Sequence, residues 1–371
     1  MMYDVIVAGL GVMGSAVAHE LARRGVRVAG FDRYVPPHQL GSSHGETRII
    51  REAYFEHPAY VPMVQRAYEL WRSLESDART ILLRETGGLM IGRPDSDLVS
   101  GARLSATTHG LPHELLGPAE VHARFPALRP EGDMMAVWEP RAGMLFPEAC
   151  VAALLAQARR QRAELHYDEP IVQWNAVGDH VRVRTARGDH RAQHLIVTAG
   201  AWVASLLPDL ELPFRIERQV LHWFDCANAR GSFVPGRCPI HLWQFDGRRF
   251  FYGFPDVGTG VKAAFHHDGE ATSPDAVRRE VSANEVEAVR AAVRRFMPDI
   301  DGLPRKSVVC LYTNTPDEHF WIDRHPEHSQ VFIASPCSGH GFKFAPVIGE
   351  IVSDLVQGST PRFDSARFRM R

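Results

Sequence analysis

The sequence predicts an α/β fold: a parallel, helix-covered sheet split along the chain, with an α+β domain built on an antiparallel sheet inserted into it. Three observations predict this. The chain opens on a short β-branched run, Tyr3-Asp4-Val5-Ile6-Val7-Ala8, which passes through glycines into a helical segment and out into a second apolar run ending at Asp32. The next run of parallel-strand type, His194-Leu195-Ile196-Val197-Thr198-Ala199-Gly200, comes only about 160 residues later. Between Phe214 and about Phe265 the pattern turns to short, aromatic-rich strands of the kind found in antiparallel sheets. At 371 residues the chain is long for one core, and two domains are expected. The segments divide as 1–85, 142–213 and 305–371 for the first domain and 86–141 and 214–304 for the second.

The opening unit carries the first chemical signal. Gly9-Leu10-Gly11-Val12-Met13-Gly14 joins the first strand to a helix over Ser15–Arg24, which stops at Gly25, and Val26–Phe31 follows as a strand. This is the arrangement of a Rossmann-like dinucleotide site. Gly9 permits the tight turn, Gly11 lets backbone approach a pyrophosphate, Gly14 lets helix and strand pack closely, and Asp32 can accept from a ribose hydroxyl. The third βα unit of a simple nicotinamide domain does not follow Asp32. A polar loop over 36–51 comes instead, and a dinucleotide fold interrupted in this way suits FAD better than NAD.

Further along, an apolar face at Val61, Val64, Ala67, Tyr68 and Trp71 predicts a helix over about 60–75. Gly87–Gly92 reads as a strand, with short helices near 95–107 and 118–125, a longer one near 147–161 and a strand at 181–185. Ile240–Phe245 and Arg249–Phe254 flank Asp246-Gly247, a hairpin turn signal. Ser273-Pro274 has the form of an N-cap and first-turn proline, predicting a helix from there to about Phe296. Strands are expected from Val308 into a polar turn before Phe320, and over Gln330–Ser335. The second breaks at Pro336-Cys337-Ser338-Gly339-His340-Gly341 and restarts as a helix from Phe342 to about Gln357.

Composition narrows the function. Apolar residues make up 45% and charged residues 23%, and the formal charge of −2 without a Lys/Arg tract argues against nucleic acid as a partner. No apolar run approaches the about 18 residues that crossing a bilayer needs. Five scattered cysteines form no close-spaced ligand pattern, so no metal is expected, and an odd set fits a reducing, cytoplasmic setting.

Several longer stretches resemble the monomeric sarcosine oxidase and N-methyltryptophan oxidase family of flavin-dependent amino-acid oxidases, over essentially the whole chain. They are Gly9–Gly14, Gly41-Ser42-Ser43-His44-Gly45-Glu46-Thr47-Arg48-Ile49-Ile50-Arg51, Thr198–Trp202, Tyr252-Gly253-Phe254-Pro255, Tyr312–Phe320 and Ser338-Gly339-His340-Gly341-Phe342-Lys343-Phe344. The resemblance implies FAD as cofactor, bonded covalently through Cys310. It implies that Ser42, His44, Thr47, Gly339, Gly341 and Lys343 belong with Gly9, Gly11, Gly14 and Asp32 among the cofactor contacts. It places Arg51 and Lys343 on the substrate carboxylate, a pairing of planar fork and point charge that makes physical sense. Lys262 matches the lysine that promotes reaction with oxygen, and Arg48 an arginine beside the flavin ring. Tyr252, His266 and Tyr312 match residues lining the substrate cavity. Lys262, His266, Arg48 and Tyr252 are therefore the candidate catalytic residues.

Trp243, with Phe245, Phe250 and Phe251, is a candidate for lining an enlarged pocket, against ordinary sheet packing. The chain departs from the family at Ser43 and Glu46, in a segment one residue shorter between Pro255 and Lys262, and at Pro336-Cys337, where Gly-Phe or Gly-Leu is usual. The implied activity is oxidation of secondary amines, N-methyl amino acids like sarcosine, by FAD and oxygen, in a monomer without membrane or nucleic-acid partner. Cyclic imino acids, bulkier N-alkyl amines or an electron acceptor other than oxygen are the alternatives.

Overall fold

The computed structural model describes residues 2–300, 302–335, 337–364 and 366–369. Its first sheet has eight strands. Met2–Ala8 lies between Val28–Phe31 and Gly188–Val197, parallel to both. Glu164–His166 extends one side, and Val331–Ala334 pairs parallel with the far half of Gly188–Val197. An antiparallel meander, Ile171–Val177 and His180–Thr185, pairs with the near half of that same strand. The central strands are buried on both faces, as their unbroken apolar runs require.

Helix Val12–Arg23 starts directly after the first strand. It is packed so closely that a Cβ on Gly14 would lie 1.8 Å from the Gly9 carbonyl oxygen. On its other side it meets helices Pro147–Arg160 and Ala345–Val356, and helix Val61–Ala78 closes this layer. The expected helices all form within a few residues of their predicted limits except one. The segment from Ser273 is not helical: the helix spans Ala283–Phe296, capped by Ser282, whose hydroxyl accepts from Glu285 N while the Glu285 carboxylate accepts from Ser282 N. That reciprocal cap satisfies two end donors, which Ser273-Pro274 cannot do. Residues 273–276 make a single turn, with Ala276 N donating to Ser273 O, and the chain then runs without regular structure to Ser282, where Arg218 donates to the carbonyls of Arg278 and Glu280.

The second sheet has nine strands and is antiparallel except where Ile240–Phe245 runs parallel to Gly88–Gly92. Its centre is Arg215–Phe224, Ile240–Phe245, Arg249–Phe254 and Val261–His266, with Asp246 and Gly247 both at positive φ in the predicted hairpin turn. Residues 305–314, grouped by sequence with the first domain, lie within strand Pro304–Asn314, which pairs along the length of Arg215–Phe224. A small third sheet, unforeseen from sequence, pairs Arg48–Ile50 and Leu83–Glu85 with Gly143–Leu145.

Strand alternation gives the second sheet two different faces. Trp243, Phe245, Phe251, Ala263 and Phe265 pack on helix Ala283–Phe296 in one core. Leu242, Tyr252, His266, Cys310 and Tyr312 face the other way, toward the first domain.

Candidate active site

Two connected cavities lie between the sheets. The larger, about 440 Å³, runs from Phe31 and Asp32 past Gly9 and Gly11 to Ser42, Thr198, Tyr312, Gly339 and Gly341. The smaller, about 70 Å³, is walled by Arg48, Arg51, Tyr252, His266, Cys310, Tyr312 and Lys343, with Leu242, Phe55 and Glu56.

The large cavity fits an FAD. Helix Val12–Arg23 opens onto it, and its N-cap Gly11 has no side chain to cover the first turn, so its N-terminal dipole faces the space where a pyrophosphate would lie. Gly11 lines the wall, and a Cβ there would crowd Ser43 Oγ at 3.3 Å, which itself accepts from Val12 N. The Asp32 carboxylate accepts from Leu10 N at 2.7 Å and Tyr34 N at 2.8 Å, and so is fixed at the far end. Thr313 Oγ1, buried on the wall, has no hydrogen-bond partner among the described residues.

At the junction of the cavities Arg48 donates to Ser42 O at 2.9 Å, to Thr47 O at 2.8 Å and to Cys310 Sγ at 3.4 Å. Ser42 Oγ donates to Leu311 O, tying the loop to the Cys310 strand. His44 is buried and donates through Nε2 to Gly41 O. Burial, then the charges of Arg48 and Lys262, push it down to about 3, so it is a neutral structural ring. Lys262 lies behind this loop rather than on either wall. Its ammonium donates to Gly45 O at 2.7 Å and Thr47 O at 2.8 Å, reaches Thr47 Oγ1 at 3.3 Å, and sits over the rings of Trp223 and Phe254. Burial and the nearby Arg48 pull it well below the ordinary lysine value. Outside the same loop, Glu148 accepts from Gly45 N and Glu46 N, while Glu46 pairs with Lys306 and accepts from Thr259.

At the small cavity Arg51 and Lys343 converge. Arg51 donates to Ala53 O and to both oxygens of Glu56. The turn that carries it is held by Glu139, whose buried carboxylate accepts from Glu52 N and Ala53 N and is pushed up to about 7 by burial. Lys343 donates to His340 O at 2.7 Å and Tyr54 Oη at 3.3 Å. Burial, then the Arg51 charge, pull its ammonium down to about 7. Opposite them His266 Nδ1 meets Tyr312 Oη at 3.1 Å, with Tyr252 on the same wall. Burial first, then surrounding cations, keep His266 well below the usual histidine value and hence neutral.

Lys262 and His44 line neither cavity but stay against the loop at their edge, whereas the structure removes Trp243 from the site altogether. It is fully buried on the far face of the sheet, stacked on Phe296 at 4.5 Å and donating to His241 Nδ1 at 2.7 Å. Phe245 and Phe251 share that core, and only Phe250 of the aromatic run reaches the cavity side, stacked on Phe55. Pro336 lies outside the described residues, while Cys337 lines the large cavity against Gly341. Sequence reasoning missed Tyr54, Glu56 and Glu139. Glu56 had a signal, being an acid five residues beyond an arginine that had to be buried.

A mixed sheet with a glycine turn at the cavity mouth, a second sheet as roof and two cations beneath it define an FAD-binding oxidoreductase. Residues 4–355 match the family model described as FAD dependent oxidoreductase. The chain is 47% identical over 362 residues to a monomeric sarcosine oxidase of Streptomyces avermitilis, covering 96% of this chain and 94% of the relative. It is 34% identical over 372 residues to an N-methyl-L-tryptophan oxidase of Citrobacter koseri, covering 100% and 99%. Among solved structures, the amino acid oxidase NikD superposes with a TM-score of 0.88 at 23% identity, over 100% of this chain and 97% of that one. Glycine oxidase from Geobacillus kaustophilus gives 0.85 at 22%, over 100% and 98%. The chain belongs to the monomeric sarcosine oxidase and N-methyltryptophan oxidase family, and is an FAD-dependent amine oxidoreductase.

Proposed function

We propose that the protein oxidises a small N-methyl amino acid of sarcosine size, using FAD tethered through Cys310 and oxygen as acceptor. The observation that carries this reading is the convergence of Arg51 and Lys343 on one small cavity that Cys310 also lines. Two cations facing one space from different elements suit a carboxylate. At roughly 10–15 Å³ for each water-sized site, about 70 Å³ holds a handful of heavy atoms and no indole ring.

The chemistry that FAD supplies when bound is acceptance of a hydride equivalent from the carbon beside the amine nitrogen, followed by return of two electrons to oxygen as hydrogen peroxide. The protein's part is orientation and charge. Arg51 and Lys343 hold the carboxylate and so fix the amine end toward Tyr252, Tyr312 and His266, where the neutral imidazole can accept a proton and the two hydroxyls can hydrogen-bond the amine. Lys262 places a buried cation beside the loop at the ring, where it would stabilise negative charge developing on oxygen. Segments 1–85, 142–213 and 305–371 supply most of the wall of the large cavity, while 86–141 and 214–304, with the strand Pro304–Asn314 added to them, contribute the roof. Among the described residues no helix is long and apolar enough to cross a membrane. A cytoplasmic monomer is the working form we infer, and the name of the Streptomyces relative supports the monomer.

Anaerobic bleaching of the purified yellow protein tests the reading. Sarcosine should bleach the flavin band faster than N-methyltryptophan, proline or pipecolate, and an absence of bleaching by every N-methyl and cyclic amino acid would overturn it.

A further inference from the structure

Two cations of like sign packed in a buried cavity repel each other, and something must hold them together in the empty enzyme. Glu56 answers for Arg51, but it makes no hydrogen bond with Lys343. Tyr54, fully buried and set back from the cavity surface, touches both. The Arg51 guanidinium carbon lies 4.3 Å from its ring centroid and the Lys343 nitrogen 5.0 Å. An aromatic face carries partial negative charge and attracts both cations at such distances.

The hydroxyl of Tyr54 has a fixed direction. His340 Nε2 is 2.9 Å from the carbonyl oxygen of Glu318, which can only accept, so the hydrogen of the neutral ring is on Nε2. His340 Nδ1 is then an acceptor, and Tyr54 Oη, 2.6 Å away, must donate to it. The lone pairs of Tyr54 Oη are left to accept from Lys343, which gives its other protein-directed hydrogen to His340 O. One ammonium hydrogen remains for the cavity.

We propose that Tyr54 is a positioning residue of the carboxylate site: its ring holds the Arg51 and Lys343 cations side by side, and its hydroxyl, oriented by His340, fixes the Lys343 ammonium toward the substrate acid. The inference rests on the carboxylate-site reading above. The titratable and charged groups around Lys343 are Arg51, Glu56, Cys337, His340, His266 and Tyr54 itself. Tyr54 stays protonated, because burial raises its phenol well above the usual value.

The test uses the holoenzyme and butyrate, an amine-free carboxylate, titrated by perturbation of the flavin absorbance from pH 6 to 9. Tyr54→Phe keeps the ring and removes one bond to a charged donor. Butyrate should bind about tenfold more weakly, and the alkaline limb should move about one unit to lower pH. Tyr54→Leu removes the ring as well and should weaken binding by a further factor of about ten. Tyr54→Phe with the wild-type affinity and the wild-type pH limb would overturn the inference, even if Tyr54→Leu were unstable. Failure of the wild type to bind butyrate, or undiminished binding by Arg51→Gln, would instead overturn the carboxylate reading beneath it, and the inference with it.

Discussion

Arg51 reaches both carboxylate oxygens of Glu56 from one terminal nitrogen, at 2.8 and 2.7 Å, and the pair lies at the wall of the cavity that would receive a substrate acid. Burial works against charge on both partners, yet each holds the other ionised: the Arg51 value is raised and the Glu56 value lowered. An incoming carboxylate therefore competes with one already in place. Glu56→Gln keeps an oxygen for Arg51 and removes the competing charge. It should lower the melting temperature of the free enzyme, because an uncompensated buried cation is costly, and should tighten butyrate binding about tenfold. Weaker butyrate binding in this variant would show that Glu56 aims Arg51 rather than competing for it.

Lys343 links affinity to pH. Burial and the Arg51 charge bring it down to about 7, so the charged form is present below that pH and is lost as pH rises through it. Butyrate affinity should be level below pH 7 and fall about tenfold per unit above it, with one proton taken up per ligand bound on the alkaline side. Isothermal titration in buffers of different ionisation heat reads the proton directly. Level affinity to pH 9, with no proton uptake, would exclude Lys343 as the second cation.

Cys310 lines the small cavity with Arg48 bonded to its sulfur at 3.4 Å. If the sulfur carries the flavin, denatured and precipitated wild-type protein stays yellow, while Cys310→Ser releases its colour to the supernatant. Release of free FAD from the wild type on acid treatment would refute the tether.

Lys262 bonds to the loop that carries Arg48, at Gly45 and Thr47, and its hydrogen bonds go to neither Arg51 nor Lys343. Lys262→Met should slow reoxidation by oxygen roughly 100-fold, the usual cost of losing one preorganised electrostatic partner. Anaerobic reduction by substrate should change only a few-fold. Stopped-flow measurement of the two half-reactions separates them, and equal slowing of both would count against the role.

The parts of this molecule that were legible in the sequence are those where local chemistry decides the structure. The turn over Gly9–Gly14, the hairpin at Asp246-Gly247 and the helix ending near Gln357 each follow from what a few neighbouring residues can do. The helix misplaced at Ser273 shows the limit. Two N-cap signals lay nine residues apart, and the one with a reciprocal partner, Ser282 with Glu285, prevailed. The small sheet around Gly143–Leu145 was unreadable because each strand is only three residues long and every pairing is distant. In the site, cations could be recognised by type and context. Tyr54, Glu56 and Glu139 act only through where folding places them, and no local pattern marks that.

Trp243 shows how a one-residue offset decides function. In a strand, neighbours point to opposite faces, so the cavity that receives Leu242 cannot receive Trp243. The indole lies in the far core, against Phe296, with its nitrogen bonded to His241. Trp243→Phe leaves most of the packing and removes that bond, so it should cost about 1–2 kcal/mol of stability by denaturant titration. The KM for sarcosine should stay at the wild-type value, because no atom of the cavity wall changes. A KM raised tenfold at unchanged stability would return Trp243 to the substrate site.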